Sequence, residues 1–382
     1  MLIDLLLGAL LAATPTGAPV LVGLDLEFGH TTSTSDDAVK LGAQLAVAEV
    51  NARGGVLGGR PLALVERDNR SNPARGVENL RELAGLPELV AVVGGKFSPV
   101  LMEQRPLARA LAVPLLDPWA AADDIIGGSA GSFVFRLSLK DSWAIPALLR
   151  HARDRGLRHV GLLLGNTAWG RSNERAARAW LAAHPEVTVA DVQWFNMGDA
   201  SLLPQYQALR SAGAEAVLLV ANEQEGATLV RDLATIPPAE RLPVLAHWGI
   251  TGGDFPALCG AALQQADLVV VQTFSFVGNR SPLAAAVLAA ARRHGPLATQ
   301  GLKSPVGVAQ AYDLVRILAR AVDLAGSTDR ARVRDALERV RFDEGLVRRY
   351  GQPFSPTRHE ALGPEDVFLA RWDAAGVLRP AR

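Results

Sequence analysis

The stretch that decides the fold runs from Asp37 to Pro73 and reads DAVKLGAQLAVAEVNARGGVLGGRPLALVERDNRSNP. Ala38, Leu41, Leu45 and Ala48 recur at helical spacing and put one apolar stripe on a helix over residues 37–51. Asp36 or Asp37 is the candidate cap at its start. Gly54 and Gly55 stop the helix, because glycine enters the left-handed backbone region at little cost. A turn at Gly58-Gly59-Arg60 follows, and residues 62–67 form the next strand. The segment is one helix-to-strand step of a parallel sheet.

Working outward, the same alternation continues. Residues 20–26 form a β-rich run before the helix. Asn72-Pro73 opens a helix that reaches Leu83. Residues 89–94 (LVAVVG) are continuously apolar, as in a strand buried on both faces. A helix over 98–112 and short strands at 113–116 and 133–137 complete a first array. The pattern then restarts. Helices are expected at 143–155, 173–183, 203–212 and 224–236, and strands at 159–164, 187–195, 216–220, 243–246 and 268–272. Three helices follow at 282–294, 307–326 and 328–340, the last capped by Ser327 or Thr328, and a strand at 367–372 precedes a turn at 373–376. Two βαβ arrays define an α/β protein of two Rossmann-like, doubly wound lobes with parallel sheets. No Ser- or Pro-rich tether separates them, so the junctions read as tight hinges.

Composition narrows the function. Hydrophobic residues make up 49% of the 382, enough for sizeable cores, and 39 basic side chains balance 39 acidic ones. That balance gives no reason to expect nucleic acid as a partner. The single cysteine, Cys259, excludes an intrachain disulfide and a cysteine metal site, and reads as a buried apolar filler. The seven histidines form no H-x-x-x-H or H-E-x-x-H pair, and the glycine-rich segments fit neither a dinucleotide nor a P-loop pattern. No G-x-S-x-G elbow occurs. The expectation is a protein that is not an enzyme and carries no cofactor or metal.

The N-terminus suggests export. Residues 5–13 (LLLGALLAA) are too short to span a bilayer, and Ala13 and Ala18 offer cleavage sites. Residues 1–18 are therefore expected to be a signal peptide, although Met1-Leu2-Ile3-Asp4 lacks the usual positive charge. A packed N-terminal helix is the alternative. No cysteine follows to anchor a lipid.

A set of motifs, in order, carries a resemblance. It comprises Asn51 through Arg60 (NARGGVLGGR), Asp68 with Asn72-Pro73, residues 90–95 followed by Ser98, and Val113-Pro114 with Asp117-Pro118. It continues through Phe133, Arg136 and Asp141, Ala168-Trp169-Gly170, residues 212–217 (AGAEAV), Ala311-Tyr312-Asp313 and Ala325-Gly326-Ser327. From about residue 20 to 345 the chain resembles periplasmic solute-binding proteins of ABC importers, of the branched-chain amino acid (Leu/Ile/Val-binding) type. The resemblance implies two lobes joined by three hinge crossings near 138–140, 272–274 and 347–352. Lobe 1 would comprise 19–139 and 274–347, and lobe 2 would comprise 140–273 and 348–382. It also implies a periplasmic monomer that traps a small molecule between its lobes and delivers it to an ABC permease in the inner membrane. A ligand-sensing regulatory protein of the same fold, acting through a protein partner, is the alternative. No DNA-binding helix-turn-helix precedes the fold.

In open α/β sheets ligands bind beyond the carboxyl ends of the strands. The loops at those places supply the expected site: Phe28, His30, Lys96, Phe97, Ser98, Trp119, Ala120, Ala121, Trp169, Glu225, Trp248 and Phe274. Three of the seven tryptophans lie in these loops, and aromatic walls suit a small-molecule pocket. They equally suit packing between the lobes. Lys96 could supply a cation for an acidic ligand. By resemblance, Ser98 contacts the ligand carboxylate and Glu225, or Glu223, pairs with its ammonium. Ala121 falls where the amino acid binders carry Ser or Thr, beside the bulky Trp119. The expected ligand is a small polar or carboxylate-bearing solute, either an amino acid or an aromatic or organic acid.

Overall fold

The computed structural model describes residues 17–29, 34–293 and 302–381. His30 and all but the last two residues of the expected signal segment lie outside the described residues. Strand β1 (Val20–Leu26) pairs in parallel with β2 (Leu62–Asp68), Val20 opposite Leu62 and Leu26 opposite Asp68. Helix α1 (Ser35–Ala52) connects them, and the chain turns back through Gly58 (φ 73°) and Gly59 (φ 133°), a region open to glycine.

Beyond β2 come α2 (Pro73–Ala84), β3 (Leu89–Gly94), α3 (Ser98–Ala110), β4 (Leu115–Asp117) and β5 (Val134–Arg136). These strands form one parallel sheet in the order β2-β1-β3-β4-β5. All of β3 is buried, as its unbroken apolar run requires. The second lobe follows as α4 (Asp141–Asp154), β6 (His159–Gly165), α5 (Ala168–Ala182), β7 (Thr188–Phe195), α6 (Leu203–Ser211) and β8 (Ala216–Val220). It continues through α7 (Glu223–Ala234), β9 (Val244–Ala246), α8 (Phe255–Cys259) and β10 (Leu268–Gln272).

The chain then returns to the first lobe as α9 (Pro282–Ala291), α10 (Pro305–Ala325) and α11 (Arg330–Leu337). Helix α10 lies along α1, and Gly42 lets the two backbones approach at Val308. The last strands, β11 (Phe368–Trp372) and β12 (Leu378–Pro380), add antiparallel to the second sheet, whose order is β12-β11-β10-β9-β8-β6-β7. The five-strand parallel part of this sheet repeats the 2-1-3-4-5 pattern of the first. The structure is thus an α/β fold of two lobes dominated by parallel strands.

Several details differ from the sequence reading. The third crossing does not fall at 347–352, because residues up to 360 pack on the first lobe. Glu360 bridges to Arg136 at the edge of β5, His359 stacks on Phe135 at 4.0 Å, and Phe354 meets the same ring at 5.1 Å. Single bridges and ring contacts carry no periodic signature, so the sequence placed 348–360 in the wrong lobe. Helix α11 is capped by Asp329, whose carboxylate accepts from the Arg332 N–H at 2.9 Å, rather than by Ser327 or Thr328. Asp36 does not cap α1. It accepts the N–H groups of Glu27 (2.7 Å) and Lys96 (2.8 Å), tying the loops after β1 and β3 together. Strand β12 lies beyond the last expected element, and at three residues it is too short to show a period in the sequence.

Candidate functional site

The loops at the carboxyl ends of β1, β3 and β4 meet those of β6, β8 and β9, and the two lobes are clasped. The Thr34 N–H donates to the Gly252 carbonyl at 2.6 Å, and the Thr34 hydroxyl bonds Ser304 at 2.9 Å, itself bonded to the Thr251 carbonyl. Deeper in, the Asp123 N–H donates to the Ser172 hydroxyl at 3.0 Å. Trp119 of the first lobe and Trp248 of the second pack together, ring centroids 5.3 Å apart, with 3% and 1% of their surfaces exposed.

Towards the β2 and β7 side the clasp opens into a cavity of about 520 Å³. The first lobe contributes Glu27, Ser71, Lys96 and Phe97 to its wall, and the second contributes residues 197–200 and 222–225 with Thr228 and Arg231. The Lys96 Nζ lies 3.0 Å from Glu27 and 3.5 Å from Glu223, so one of its ion pairs crosses the cleft. Burial alone would push the Lys96 ammonium down. The Glu223, Glu27 and Asp36 carboxylates outweigh it and hold its pKa above the ordinary lysine value. Burial pushes Asp36 up to about 7 and raises Glu223 as well, against the pull of Lys96. Glu225 accepts the Gly198 N–H at 3.1 Å, which fixes the loop after β7 against α7. At the rim the exposed Arg231 donates to the Leu258 carbonyl (2.7 Å) and the Thr228 hydroxyl (3.1 Å).

The expected site residues divide into three groups. Lys96, Phe97 and Glu225 line the cavity together. Lys96 is not held out for an incoming acid, because Glu27 and Glu223 already pair with it.

Ser98, Trp119, Ala120, Ala121, Trp169 and Trp248 sit deeper, where the lobes touch. The buried Ser98 hydroxyl accepts the Ala122 N–H at 3.3 Å. The carbonyls of Ala120 and Ala121 accept from Ser138 and Asp141, at 3.2 and 2.9 Å. Trp169 donates its indole N–H to Asp141 at 3.0 Å and meets the buried His247 edge-on at 4.9 Å. Trp119 and Trp248 thus serve the lobe interface rather than the cavity wall.

Phe28 and Phe274 lie apart. Phe28 carries Lys40 over its ring at 5.1 Å, and Phe274 packs against Phe276 at 4.7 Å. The wall residues the sequence reading did not select, Ser71 and Met197 among them, follow β2 and β7. The strand-end rule applied to those two strands would have found them.

Among the described residues no group of three or more His, Cys, Asp or Glu could hold a metal ion, and no helix is long and apolar enough to cross a membrane. Two α/β lobes clasped around a cavity whose wall they share define a two-lobed binding protein. The profile of the family described as periplasmic binding protein matches residues 25–376, and the chain belongs to that family. It is a binding protein and not an enzyme. It is 24% identical over 329 residues to the Leu/Ile/Val-binding protein BraC3 of Rhizobium johnstonii, which covers 85% of each chain. Its fold matches that of a type 1 periplasmic binding protein from Bordetella pertussis Tohama I, at a TM-score of 0.84 and 19% identity, over 95% of this chain and 99% of that one. It also matches a solute-binding protein of an ABC transporter from R. palustris in complex with benzoate, at a TM-score of 0.75 and 19% identity, over 95% of each chain. These comparisons give no support to a regulatory protein acting through a partner.

Proposed function

We propose that this protein is the solute-binding component of an ABC importer, capturing a small polar solute in the cleft and delivering it to a permease in the inner membrane. The observation that carries this reading is the cavity of about 520 Å³ whose wall is divided between the lobes. A cavity of that size suits a small molecule, and neither lobe encloses it alone. Opening the lobes would separate Lys96 from Glu223 and Trp119 from Trp248. A solute touching both walls gains contacts only in the closed state, and so shifts the population towards it. The permease then meets a closed form that reports a loaded site.

The candidate solutes are an amino acid or an aromatic or organic acid, in keeping with the ligands named for the rhizobial and R. palustris proteins. The protein acts in the periplasm as a monomer, after export directed by residues 1–18. The test is a thermal-shift screen of amino acids, aromatic acids, amides and small dicarboxylates. A solute at one hundred times its Kd adds about 2.7 kcal/mol of stability. Phe97→Ala and Glu225→Ala should each abolish the hit while leaving the unliganded melting temperature within a few degrees. Full retention of binding in both would remove the cavity as the solute site.

A further inference from the structure

We infer that a second cavity, walled by both lobes beside the Thr251–Ser304 contact, binds an uncharged aromatic molecule and through it favours the closed form. This site stands apart from the solute cleft, and only its effect on solute affinity rests on the reading of that cleft.

The cavity has a volume of about 360 Å³, towards the lower end of the roughly 300–1,000 Å³ common for small-molecule sites. Phe276, Leu288 and Leu302 form its wall on the first-lobe side, and Pro256, Trp372 and Leu378 on the second. Its two rings are already fixed by neighbours. Phe276 meets Phe274 edge-on at 4.7 Å, and Trp372 stacks on Phe255 at 4.8 Å. An aromatic guest would find its partners in place, with little freedom left to lose in ordering them.

The polar groups define the rest of the class. Asp254 and Lys303 are the only acidic and basic side chains among the described lining residues, and they pair with each other across the lobes. A charged guest would be buried here without a counterion, at a cost that an uncharged one avoids. The Ser275 hydroxyl, also in the lining, accepts the Val277 N–H at 3.0 Å, while its own proton has no acceptor among the described residues. A guest carrying one carbonyl or ether oxygen could accept from it.

The coupling to closure follows from what else borders the cavity. Thr251 and Ser304 line it, and the Ser304 hydroxyl that donates to the Thr251 carbonyl at 2.9 Å also bonds Thr34. A guest touching both walls makes its full contacts only while this clasp is shut. It should therefore raise solute affinity in the cleft, and the solute should raise the guest's affinity by the same factor.

The test uses acetophenone as the probe, with ethylbenzene as a similar shape lacking the oxygen. Calorimetry on the full chain should give one acetophenone per chain. Leu288→Trp, which fills the cavity, should weaken it at least tenfold, and Phe97→Ala should leave it unchanged. Ser275→Ala should weaken acetophenone about fivefold and leave ethylbenzene untouched, a selective loss that misfolding does not mimic. Energy transfer between one dye on each lobe, read on wild type and on the more open Trp119→Ala, should report a larger closed fraction as acetophenone saturates. Absence of binding, or equal binding by wild type and Leu288→Trp, would overturn the site. Loss on Phe97→Ala instead would place the probe in the solute cleft, overturning this site while keeping that one. Binding with the dye signal unchanged in both proteins would overturn the coupling. Should no solute of the screen bind, the cleft reading falls, while the acetophenone and dye results still decide this site.

Discussion

Replacing Trp119 and Trp248, singly and together, by alanine isolates what closes the lobes. The two rings come from different lobes, lie 5.3 Å apart, and are 3% and 1% exposed. Each substitution also disturbs its own lobe, where truncating a buried tryptophan costs about 3–5 kcal/mol. The term shared across the cleft is smaller, about 1 kcal/mol for an aromatic pair beyond its area. A double-mutant cycle extracts that term. One kcal/mol changes the closed-to-open ratio about fivefold. The assay is energy transfer between one dye on each lobe, read on the unliganded protein. Each single variant should lower the closed-to-open ratio, and the double variant should fall short of the sum by about the pair energy. A coupling below about 0.3 kcal/mol, or an unchanged dye distance in all three, would refute the claim that this stack holds the lobes together.

Stability should fall as pH rises from about 4 to 7. Burial raises the pKa of Asp36 to about 7 and those of Asp25, Asp117 and Asp313 to about 6, from an ordinary value of 3.8. The folded protein therefore holds these protons more tightly than the unfolded chain. The stabilisation is complete below pH 4 and is lost as pH passes 6 to 7, on the order of 3 kcal/mol for Asp36. Urea melts at pH 4.5 and 7.5 measure it, Asp36→Asn should flatten the trend, and a flat wild-type profile would contradict it. Arg136→Met should cost about 3–5 kcal/mol at neutral pH, because it strands the buried Asp117 carboxylate 3.1 Å away, and the cost should shrink below pH 6 as Asp117 takes a proton. Cys259 should resist maleimide at pH 7.5 until urea unfolds the chain, since it is buried and its thiol is pushed up to about 12. Labelling of the native protein would show the second lobe to be looser than described.

The fold was legible because its signals are local. Continuous apolar runs such as Leu89–Gly94 and Ala216–Val220 are too short for a buried helix and read as strands buried on both faces, and the helices between them keep a 3.6-residue stripe. What failed was non-local. Residues 348–360 join the first lobe through one bridge, a histidine stack and an edge-on phenylalanine pair, none of which has a sequence period. The site was half legible for the same reason. The strand-end rule led to Lys96, Phe97 and Glu225, which share one wall. It could not say that Trp119 would meet Trp248, or that Lys96 would already be paired, because both depend on how far the lobes close. An exposed residue such as Met197, on the loop after β7, offered no sequence signal beyond its place in the chain.

The most direct test of solute capture between the lobes is a crystal structure of the protein with the tightest ligand from the screen. The solute should lie between the lobes, within contact distance of Phe97 and with a polar group at Glu223 or Glu225, and Trp119 should still be packed on Trp248. A solute seated outside this cavity, for example in the second cavity of about 360 Å³ beside Phe276 and Trp372, or one that parts the two tryptophans to sit against Ser98, would contradict it.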